Sequence, residues 1–333
     1  MMNMFLLSLG LVGGLVIGAE GWLRLRFGLG TPLTYVAHDT IGYLLSPGQE
    51  VRRFGNRIRI NQYSMRGNEI AVTPDPATLR ILMLGDSIVN GGWWTAQERT
   101  LSALLEAVLT RPLAPVAPEA RFAPPGSTKQ PVEVLNASAN SWGPRNELAY
   151  IEAFGTFHAQ LLILVINTDD LFATAPTAVQ VGRDRNYPAH RPGSALQEVI
   201  TRYLVRPTSI PELEAVRAEG GDRVGKNLAA IGQIRDRIHA DQGEFLLAMT
   251  PLLREVAPAS PRDYEQQARQ RLVALTQAEA IPYVDFLPVF NAQPQPQDLY
   301  RDHIHLSAAG NQLVVQHLVA VLEEASYLPG LSP

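Results

Sequence analysis

The stretch Ile81-Leu82-Met83-Leu84-Gly85-Asp86-Ser87 carries the strongest fold signal in this chain of 333 residues. Its apolar run predicts a strand over residues 80–84 that is buried on both faces, as strands of parallel sheets are. Gly85 lacks a Cβ and therefore permits a tight turn directly after the strand. A helical pattern follows the turn, so the stretch predicts a strand–turn–helix unit with Ser87 at the end of the strand.

Short apolar runs and helical stretches alternate along the chain from residue 78 onward. Strands alternating with helices predict a parallel sheet covered on both faces, here a flavodoxin-like three-layer α/β/α fold. Active sites of such sheets lie at the carboxyl ends of the strands. The predicted strands are 80–84, 132–135, 161–166, 244–249 and 283–286, and the predicted helices are 97–110, 144–158, 222–241, 262–280 and 307–324.

The α/β pattern covers residues 78–328, and three other segments surround or interrupt it. Residues 27–77 lack a sustained period and predict an irregular, partly β extension. Residues 111–131 are rich in proline and predict a solvated loop. Residues 171–221 also lack periodicity, and an insertion of this length is interpreted as a lid or substrate cap.

An uncharged apolar run opens the chain at residues 4–19. With the residues up to Leu23 it approaches the roughly 20 residues that span a bilayer. Trp22 and Arg24 at its end are typical of the membrane interface. A cleaved signal peptide and a core or interfacial helix are the alternatives, but neither Lys nor Arg precedes the run and no small-x-small cleavage site follows it. We therefore expect residues 1–26 to form a single uncleaved transmembrane anchor.

Composition excludes several classes of protein. The chain has no cysteine, which rules out disulfides, Cys-ligated zinc and thiol catalysis, and its net charge of -4 gives no basic footprint for nucleic acid. Neither phosphate-binding glycine motif is present in the required context. Four histidines, His158, His190, His239 and His317, have no partners at metal-ligand spacing, and we expect no metal and no organic cofactor. The oligomeric state stays open.

Two short motifs carry the chemistry. Ser87 by itself is compatible with an ordinary helix N-cap or with a nucleophile whose hydroxyl lies at the edge of the sheet. A serine nucleophile needs a base, and the base needs a carboxylate that fixes its tautomer. Asp302 and His305, three apart on a turn before the last helix, can supply both. His303 is the rival base, but it is adjacent to Asp302, a spacing less suited to side-chain contact.

The combination of Gly85-Asp86-Ser87 with Asp302-x-x-His305-Leu-Ser-x-x-Gly310 resembles the SGNH hydrolase family, the GDSL-like esterases and lipases. The resemblance implies that Ser87 is the nucleophile, His305 its base and Asp302 the residue that orients the base. Residues 57–66 also resemble the lead-in of membrane-anchored bacterial members, which act outside the cytoplasmic membrane. The positive-inside rule, applied to the arginines after the apolar run, gives the opposite orientation. The catalytic domain is expected to be extracytoplasmic, with its orientation left open.

The oxyanion hole departs from the family pattern at two positions. The resemblance implies backbone N–H donors at Ser87 and at Ser141, which stands where the family has glycine. The family's asparagine donor is replaced by Asp169, and a carboxylate cannot donate and repels developing negative charge. Loss of one donor costs on the order of 10²–10³ in rate. Asn167 is the candidate substitute, and a protonated Asp169 is the alternative.

These residues predict a serine esterase that removes an acyl group, such as O-acetyl, from a carbohydrate or lipid of the cell envelope. The expected partners are that acyl-ester substrate and the membrane, with no nucleic acid. One alternative is an O-acyltransferase, which uses the same triad but passes the acyl group to an alcohol. The other is a catalytically weak envelope protein that retains the fold, motivated by Ser141 and Asp169.

Overall fold

The computed structural model describes residues 2–110 and 130–324. Most of the proline-rich loop expected at residues 111–131 lies outside the described residues. The strands are β1 Tyr35–His38, β2 Gly42–Leu45, β3 Glu50–Arg53, β4 Asn56–Arg59, β5 Leu79–Gly85, β6 Val132–Ser138, β7 Leu161–Asn167, β8 Glu244–Thr250 and β9 Tyr283–Asp285. The helices are α1 Met2–Phe27, α2 Ser87–Asn90, α3 Leu101–Leu109, α4 Pro144–Phe154, α5 Ala195–Val199, α6 Pro211–Arg217, α7 Arg223–Ala240, α8 Asp263–Ala278, α9 Phe286–Asn291 and α10 Ala308–Glu324.

The chain divides into two compact units. The first, called the hairpin unit, consists of Met1–Asn68, Trp93–Gln97 and Thr177–Ala218. The second, called the sheet unit, consists of Glu69–Gly92, Glu98–Pro176 and Glu219–Pro333. Most of the insertion identified in the sequence thus belongs to the same unit as the N-terminal region.

The sheet unit is built on a five-stranded parallel sheet in the order β6-β5-β7-β8-β9. The strand that comes first in sequence therefore lies between the second and the third, and the chain order reverses on either side of β5. All residues of β5 and β7 are buried. The flavodoxin-like fold predicted from the sequence is confirmed, and its switch point places a crevice at the carboxyl end of β5.

Helices cover both faces of this sheet. Ile81 and Met83 belong to one apolar cluster with Leu105 of α3 and Leu318 of α10. Successive residues of a strand point to opposite faces of the sheet, so Leu82 and Leu84 face the other side. There α4 and α7 pack against each other and against the strands. The predicted three-layer arrangement is therefore observed, with the fully buried central strands β5 and β7 in its core.

Element boundaries differ from the predictions where local chemistry ends or starts a helix. The helix expected over 144–158 ends at Phe154, because Gly155 follows with a positive φ of 79°. The helix expected over 97–110 is a 3₁₀ turn followed by α3, which starts after Thr100, whose hydroxyl accepts a hydrogen bond from the N–H of Ala103. Ser307 caps α10 as expected, since its hydroxyl accepts from the N–H of Gly310 at 3.2 Å.

The hairpin unit contains two antiparallel hairpins, β1–β2 and β3–β4, together with α1 and α5. Arg53 of β3 and Glu198 of α5 form a buried ion pair at 2.6 Å, and the N–H of Gly30 donates to the same carboxylate. A paired and hydrogen-bonded charge of this kind avoids the cost of an isolated buried charge. Residues 171–221 thus contain short helices that the sequence pattern did not reveal.

Helix α1 is long and apolar enough to cross a membrane. An 18-residue window within Met4–Phe27 reaches a mean hydropathy of 1.8, and no residue of that window is buried. A signal sequence passes the same test of length and composition.

Candidate active site

Ser87 lies directly after β5, at the carboxyl end of the sheet. It is the first residue of the short helix α2, and the Asp86 carboxylate caps that helix by accepting the N–H of Ile88 at 2.7 Å. A side chain at Gly85 would meet the carbonyl oxygen of Val165 at 2.5 Å, so only glycine allows the neighbouring strand to approach this closely. The turn therefore holds Ser87 in place through the packing of β5 on β7.

His305 reaches this serine from a position 218 residues later in the chain. Its Nε2 lies 3.0 Å from Ser87 Oγ, and its Nδ1 lies 2.9 Å from Asp302 Oδ2. Tyr300 and Leu306 pair as an antiparallel bridge that closes the loop carrying both residues. Ser87, His305 and Asp302 are thus brought together in a chain of hydrogen bonds.

Asp302 also binds its own loop. Its Oδ1 accepts the backbone N–H groups of Ile304 at 3.1 Å and His305 at 2.9 Å. Partial burial alone would raise the pKa of Asp302, but these N–H groups and the His305 ring outweigh it and hold the pKa below its usual value. An ionised Asp302 keeps the His305 proton on Nδ1, which leaves Nε2 as an acceptor facing the serine.

The rival base, His303, takes no part in the hydrogen bonds that join Ser87, His305 and Asp302. Its side chain is 79% exposed, and its Nδ1 lies 3.9 Å from the Asp302 carboxylate. Its backbone carbonyl accepts the N–H of Leu253, so His303 joins the loop that carries Asp302 and His305 to the turn after β8. The geometry favours His305.

Ser141 adopts the conformation that a glycine normally fills. Its φ is +59°, in the left-handed region that side chains avoid at a cost of about 1–2 kcal/mol. It follows β6, the neighbour of β5, and therefore lies at the same edge of the sheet as Ser87. A backbone that needs positive φ explains why glycine suits this position, and the serine retains the N–H.

Asn167 and Asp169 have partners other than those expected from the sequence. The Asn167 amide is fully buried and donates to Asp86 at 3.0 Å and to Asp170 at 2.8 Å. The predicted side-chain donor role of Asn167 is therefore at odds with the structure, because both of its amide protons are engaged. The Asp169 carboxylate is half exposed and accepts from Arg254 at 2.9 Å, so a guanidinium lies beside its negative charge.

Three buried carboxyl groups lie behind the serine, and sequence reasoning missed them. Burial raises the pKa of Asp86. The pKa values of Glu147 and Asp170 lie well above the usual range, mainly because both groups are buried and also because the negative charge of Asp86 is near. Glu147 has no exposed surface, and neither of its oxygens has a hydrogen-bond partner among the residues that the structure describes. The sequence does contain a sign of this burial. Glu147 lies three and four residues before Tyr150 and Ile151 on α4, a spacing that places it on the same apolar face of the helix.

The Ser87 hydroxyl has two acceptors for its single proton. Besides His305, it lies 3.2 Å from Asp86 Oδ2, which also accepts from Asn167. The contact with His305 is the shorter of the two, at 3.0 Å, and Asp86 Oδ2 is already bonded by the Asn167 amide. The arrangement therefore directs the proton toward His305 Nε2.

Within the described part of the chain, no three His, Cys, Asp or Glu side chains are placed to hold a metal ion. In the carboxyl cluster behind Ser87, Asp86 accepts a hydrogen bond from Ile88 and Asp170 accepts one from Asn167. What the arrangement can perform is proton transfer from a hydroxyl to an imidazole.

Solved structures with a similar backbone include several ester hydrolases. An acetyl xylan esterase, AlAXEase, has 13% sequence identity and a TM-score of 0.47, covering 73% of this chain and 100% of that chain. A lipase/acylhydrolase from Enterococcus faecalis has 14% identity and a TM-score of 0.44, covering 74% of this chain and 96% of that chain. The acetylxylan esterase Axe2 from Geobacillus stearothermophilus has 14% identity and a TM-score of 0.43, covering 73% and 93%.

A comparison with curated protein sequences gave no match. A family model matches residues 83–313, which include the serine turn, the sheet and the loop that carries Asp302 and His305. The resemblance inferred from the two motifs is thereby confirmed: the chain belongs to the GDSL-like lipase/acylhydrolase family and is an ester-bond hydrolase.

Proposed function

We propose that Ser87, His305 and Asp302 form the catalytic triad of a serine esterase. The proposal rests on one observation above all: His305 Nε2 lies 3.0 Å from Ser87 Oγ while its Nδ1 is held by Asp302. This orientation gives the ring the tautomer in which it accepts the serine proton. Family membership supports acyl-ester chemistry.

In the first half of the reaction, Ser87 Oγ attacks the carbonyl carbon of the ester and passes its proton to His305 Nε2. The carbonyl oxygen becomes an oxyanion as the new C–O bond forms. His305 then gives the proton to the leaving alcohol as its bond to the carbonyl carbon breaks, which leaves an acyl group on Ser87. In the second half, His305 takes a proton from water, the resulting hydroxide releases the acid, and the proton returns to Ser87.

Backbone N–H groups of Ser87 and Ser141 receive the oxyanion in this proposal. Both residues lie at the carboxyl edge of adjacent strands, and Ser87 begins a helix, where N–H groups point outward. The side chains of Asn167 and Asp169 are engaged elsewhere, so they do not contribute donors. A hole with two backbone donors and no side-chain donor predicts slow turnover rather than none.

The proposed substrate is an acyl ester of a cell-envelope carbohydrate or lipid, with O-acetyl as the leading acyl group. An enzyme held in the membrane by α1, with its catalytic side outside the cytoplasm, meets such esters at the envelope. The support for this location is the exposed apolar Met4–Phe27 segment. Transfer of the acyl group to a sugar hydroxyl uses the same acyl-enzyme and is distinguished only by its product.

Hydrolysis of p-nitrophenyl acetate and longer p-nitrophenyl esters by wild type and Ser87→Ala tests the proposal. We expect the variant to lose at least about 10³-fold in kcat/KM, because it lacks the nucleophile. The exposed Ser260 supplies the matched control, Ser260→Ala, which should retain full activity. A fluorophosphonate should label wild type at Ser87 and leave Ser87→Ala unlabelled. Equal activity in wild type and Ser87→Ala refutes the assignment.

A further inference from the structure

Exposed apolar side chains are concentrated at one place outside α1. Ile200, Tyr203, Leu204 and Val205 lie within six consecutive residues after α5 and are 50%, 60%, 72% and 51% exposed. The other large exposed hydrophobic side chains outside α1 in the described chain occur singly, at Val36, Val72 and Tyr264. Single exposed apolar residues are ordinary, whereas a contiguous group marks an interaction surface. We call residues 200–206 the apolar turn.

The helix that leads into this turn, α5, is hydrogen-bonded to the end of the apolar helix. The Glu20 carboxylate accepts the N–H groups of Ala195 at 2.8 Å and Leu196 at 2.9 Å, which are the first residues of α5. Arg24 pairs with Glu20 and also donates to the carbonyl of Gly193. The start of α5 is therefore fastened to the last two turns of α1, within the hairpin unit.

The position of Glu20 along α1 sets the depth of this contact. A hydrocarbon core of roughly 30 Å takes about 20 helical residues, so a span that begins at Met4 ends near Leu23. Glu20 then lies roughly 5 Å inside that end, at the boundary between hydrocarbon and headgroups. A carboxylate at this depth is costly unless it is satisfied, and Ala195, Leu196 and Arg24 satisfy it. The apolar turn begins only five residues after Ala195 and therefore lies close to the same boundary.

Basic residues flank the apolar turn. Arg185 donates to the carbonyls of Arg202 at 2.6 Å and Val205 at 3.4 Å, and Arg206 is exposed at the end of the turn. Arg202 lies 3.5 Å from Glu198, which is already paired with Arg53. Among the ion pairs of the described residues, none involves Arg185 or Arg206. Their charges remain available to an anionic group.

A cavity adjoins the same arginines. Its volume is about 440 Å³, and Arg183, Arg185, His190 and Arg202 contribute to its lining. Arg183 also pairs with Glu212 at 3.0 Å, and Asp184 and Glu198 supply negative charge to the wall. Exposed apolar side chains next to basic ones are the pattern by which proteins lie in the plane of a membrane interface.

We propose that the apolar turn is a second membrane contact, inserted in the headgroup region of the bilayer that α1 spans, where Arg185 and Arg206 bind anionic phospholipid. The inference rests on the anchoring by α1 put forward under the proposed function. A bilayer is the occupant because α5, which leads into this surface, is hydrogen-bonded to the end of α1, and because the surface combines apolar side chains with positive charge that has no ion-pair partner among the described residues. The hairpin unit is thereby held at the membrane surface by two elements.

Site-directed labelling tests this with full-length protein in proteoliposomes. The chain has no cysteine, so Leu204→Cys, Leu15→Cys and Val72→Cys each carry one environment-sensitive fluorophore at a defined position. We expect the labels at residues 15 and 204 to be protected from aqueous iodide and blue-shifted, and the label at residue 72 to be quenched freely. Hydrolysis of p-nitrophenyl acetate by each labelled protein verifies its fold and reports on the esterase separately.

Protection at residue 15 together with free quenching at residue 204 overturns the membrane contact and leaves the anchor intact. Free quenching at residue 15 overturns the anchor and the inference together. For the charge, Arg206→Gln should lower the ratio of protected to quenched label at residue 204 roughly fivefold, and only when phosphatidylglycerol is mixed into phosphatidylcholine. The exposed Arg237 of α7 supplies the control Arg237→Gln, and an equal effect of both variants refutes the role of Arg206.

Discussion

Replacement of Asp302 with asparagine changes one atom in the triad and, by the geometry of the loop, reverses the tautomer of His305. In the wild type, Oδ1 accepts the N–H groups of Ile304 and His305, and Oδ2 lies 2.9 Å from His305 Nδ1. The asparagine oxygen must take the Oδ1 position, because only an oxygen can accept those two N–H groups. Its NH2 group then occupies the Oδ2 position. His305 Nδ1 also lies 3.0 Å from Oδ1, but that oxygen already accepts two backbone N–H groups, so we expect Nδ1 to accept from the NH2 group instead.

A His305 ring that accepts at Nδ1 carries its proton on Nε2, 3.0 Å from Ser87 Oγ. It then donates to the serine and cannot remove the serine proton. The same change in a serine protease triad lowers kcat by about 10⁴, or about 5 kcal/mol of transition-state stabilisation. We expect a loss of this size in Asp302→Asn, with KM nearly unchanged because Asp302 makes no substrate contact in the proposed mechanism.

The assay is the initial rate of p-nitrophenyl acetate hydrolysis across a range of substrate concentrations, with urea unfolding as a check on the fold. Asp298→Asn is the matched control, since Asp298 is exposed nearby, carries the same charge and has no side-chain contact with the triad. Its kcat should equal that of the wild type. If Asp302→Asn retains kcat within tenfold of the wild type, the tautomer argument is wrong.

Three further substitutions have definite expected outcomes. Glu147→Gln should raise the free energy of unfolding at neutral and alkaline pH. The pKa of Glu147 in the folded protein lies above its unfolded value of 4.5, so the wild type loses stability as the pH rises above 4.5, and the glutamine variant does not. Urea titrations should therefore show a difference between the two proteins that vanishes in acid. A difference independent of pH contradicts this. Ser141→Gly should stabilise the fold by about 0.5–1 kcal/mol, because relief of positive φ exceeds the added unfolded-state entropy, with ester hydrolysis retained; a lower midpoint in urea would count against it. Asp169→Asn removes a negative charge beside the proposed hole and releases Arg254, so kcat should rise, by no more than the about 10²–10³ that one donor supplies. A fall in kcat would show that the Asp169–Arg254 pair supports the site.

Local pattern was sufficient for much of the fold and for part of the site. The apolar runs 81–84 in β5 and 161–166 in β7 indicate strands buried on both faces, and a parallel sheet is the arrangement that buries them. The contact between Asp302 and His305 is also local, because a tight turn brings residues three apart together. The cap of α10 by Ser307 follows from the same short-range chemistry.

The partners of Asn167 and Asp169 depend on residues from other parts of the chain. The sequence places both near the oxyanion hole, but Asn167 donates to Asp86 of the β5 turn and Asp169 pairs with Arg254 after β8. A side-chain amide satisfies whichever acceptors the fold brings near it, and buried carboxyl groups compete strongly for its protons. No short-range pattern contains that information.

The amino-acid sequence by itself determined the parallel α/β sheet, the serine turn after its first strand and the acid–base pair on the last loop, because each depends on periodicity or on neighbours within a few residues. Only the tertiary structure decided that His305 reaches Ser87 across 218 positions, that Glu147 is buried behind the serine, and that residues 177–218 join the N-terminal hairpins. These outcomes depend on which strands and helices pack side by side. Packing sums many weak, non-local contacts, and their total is not encoded in any single stretch of residues.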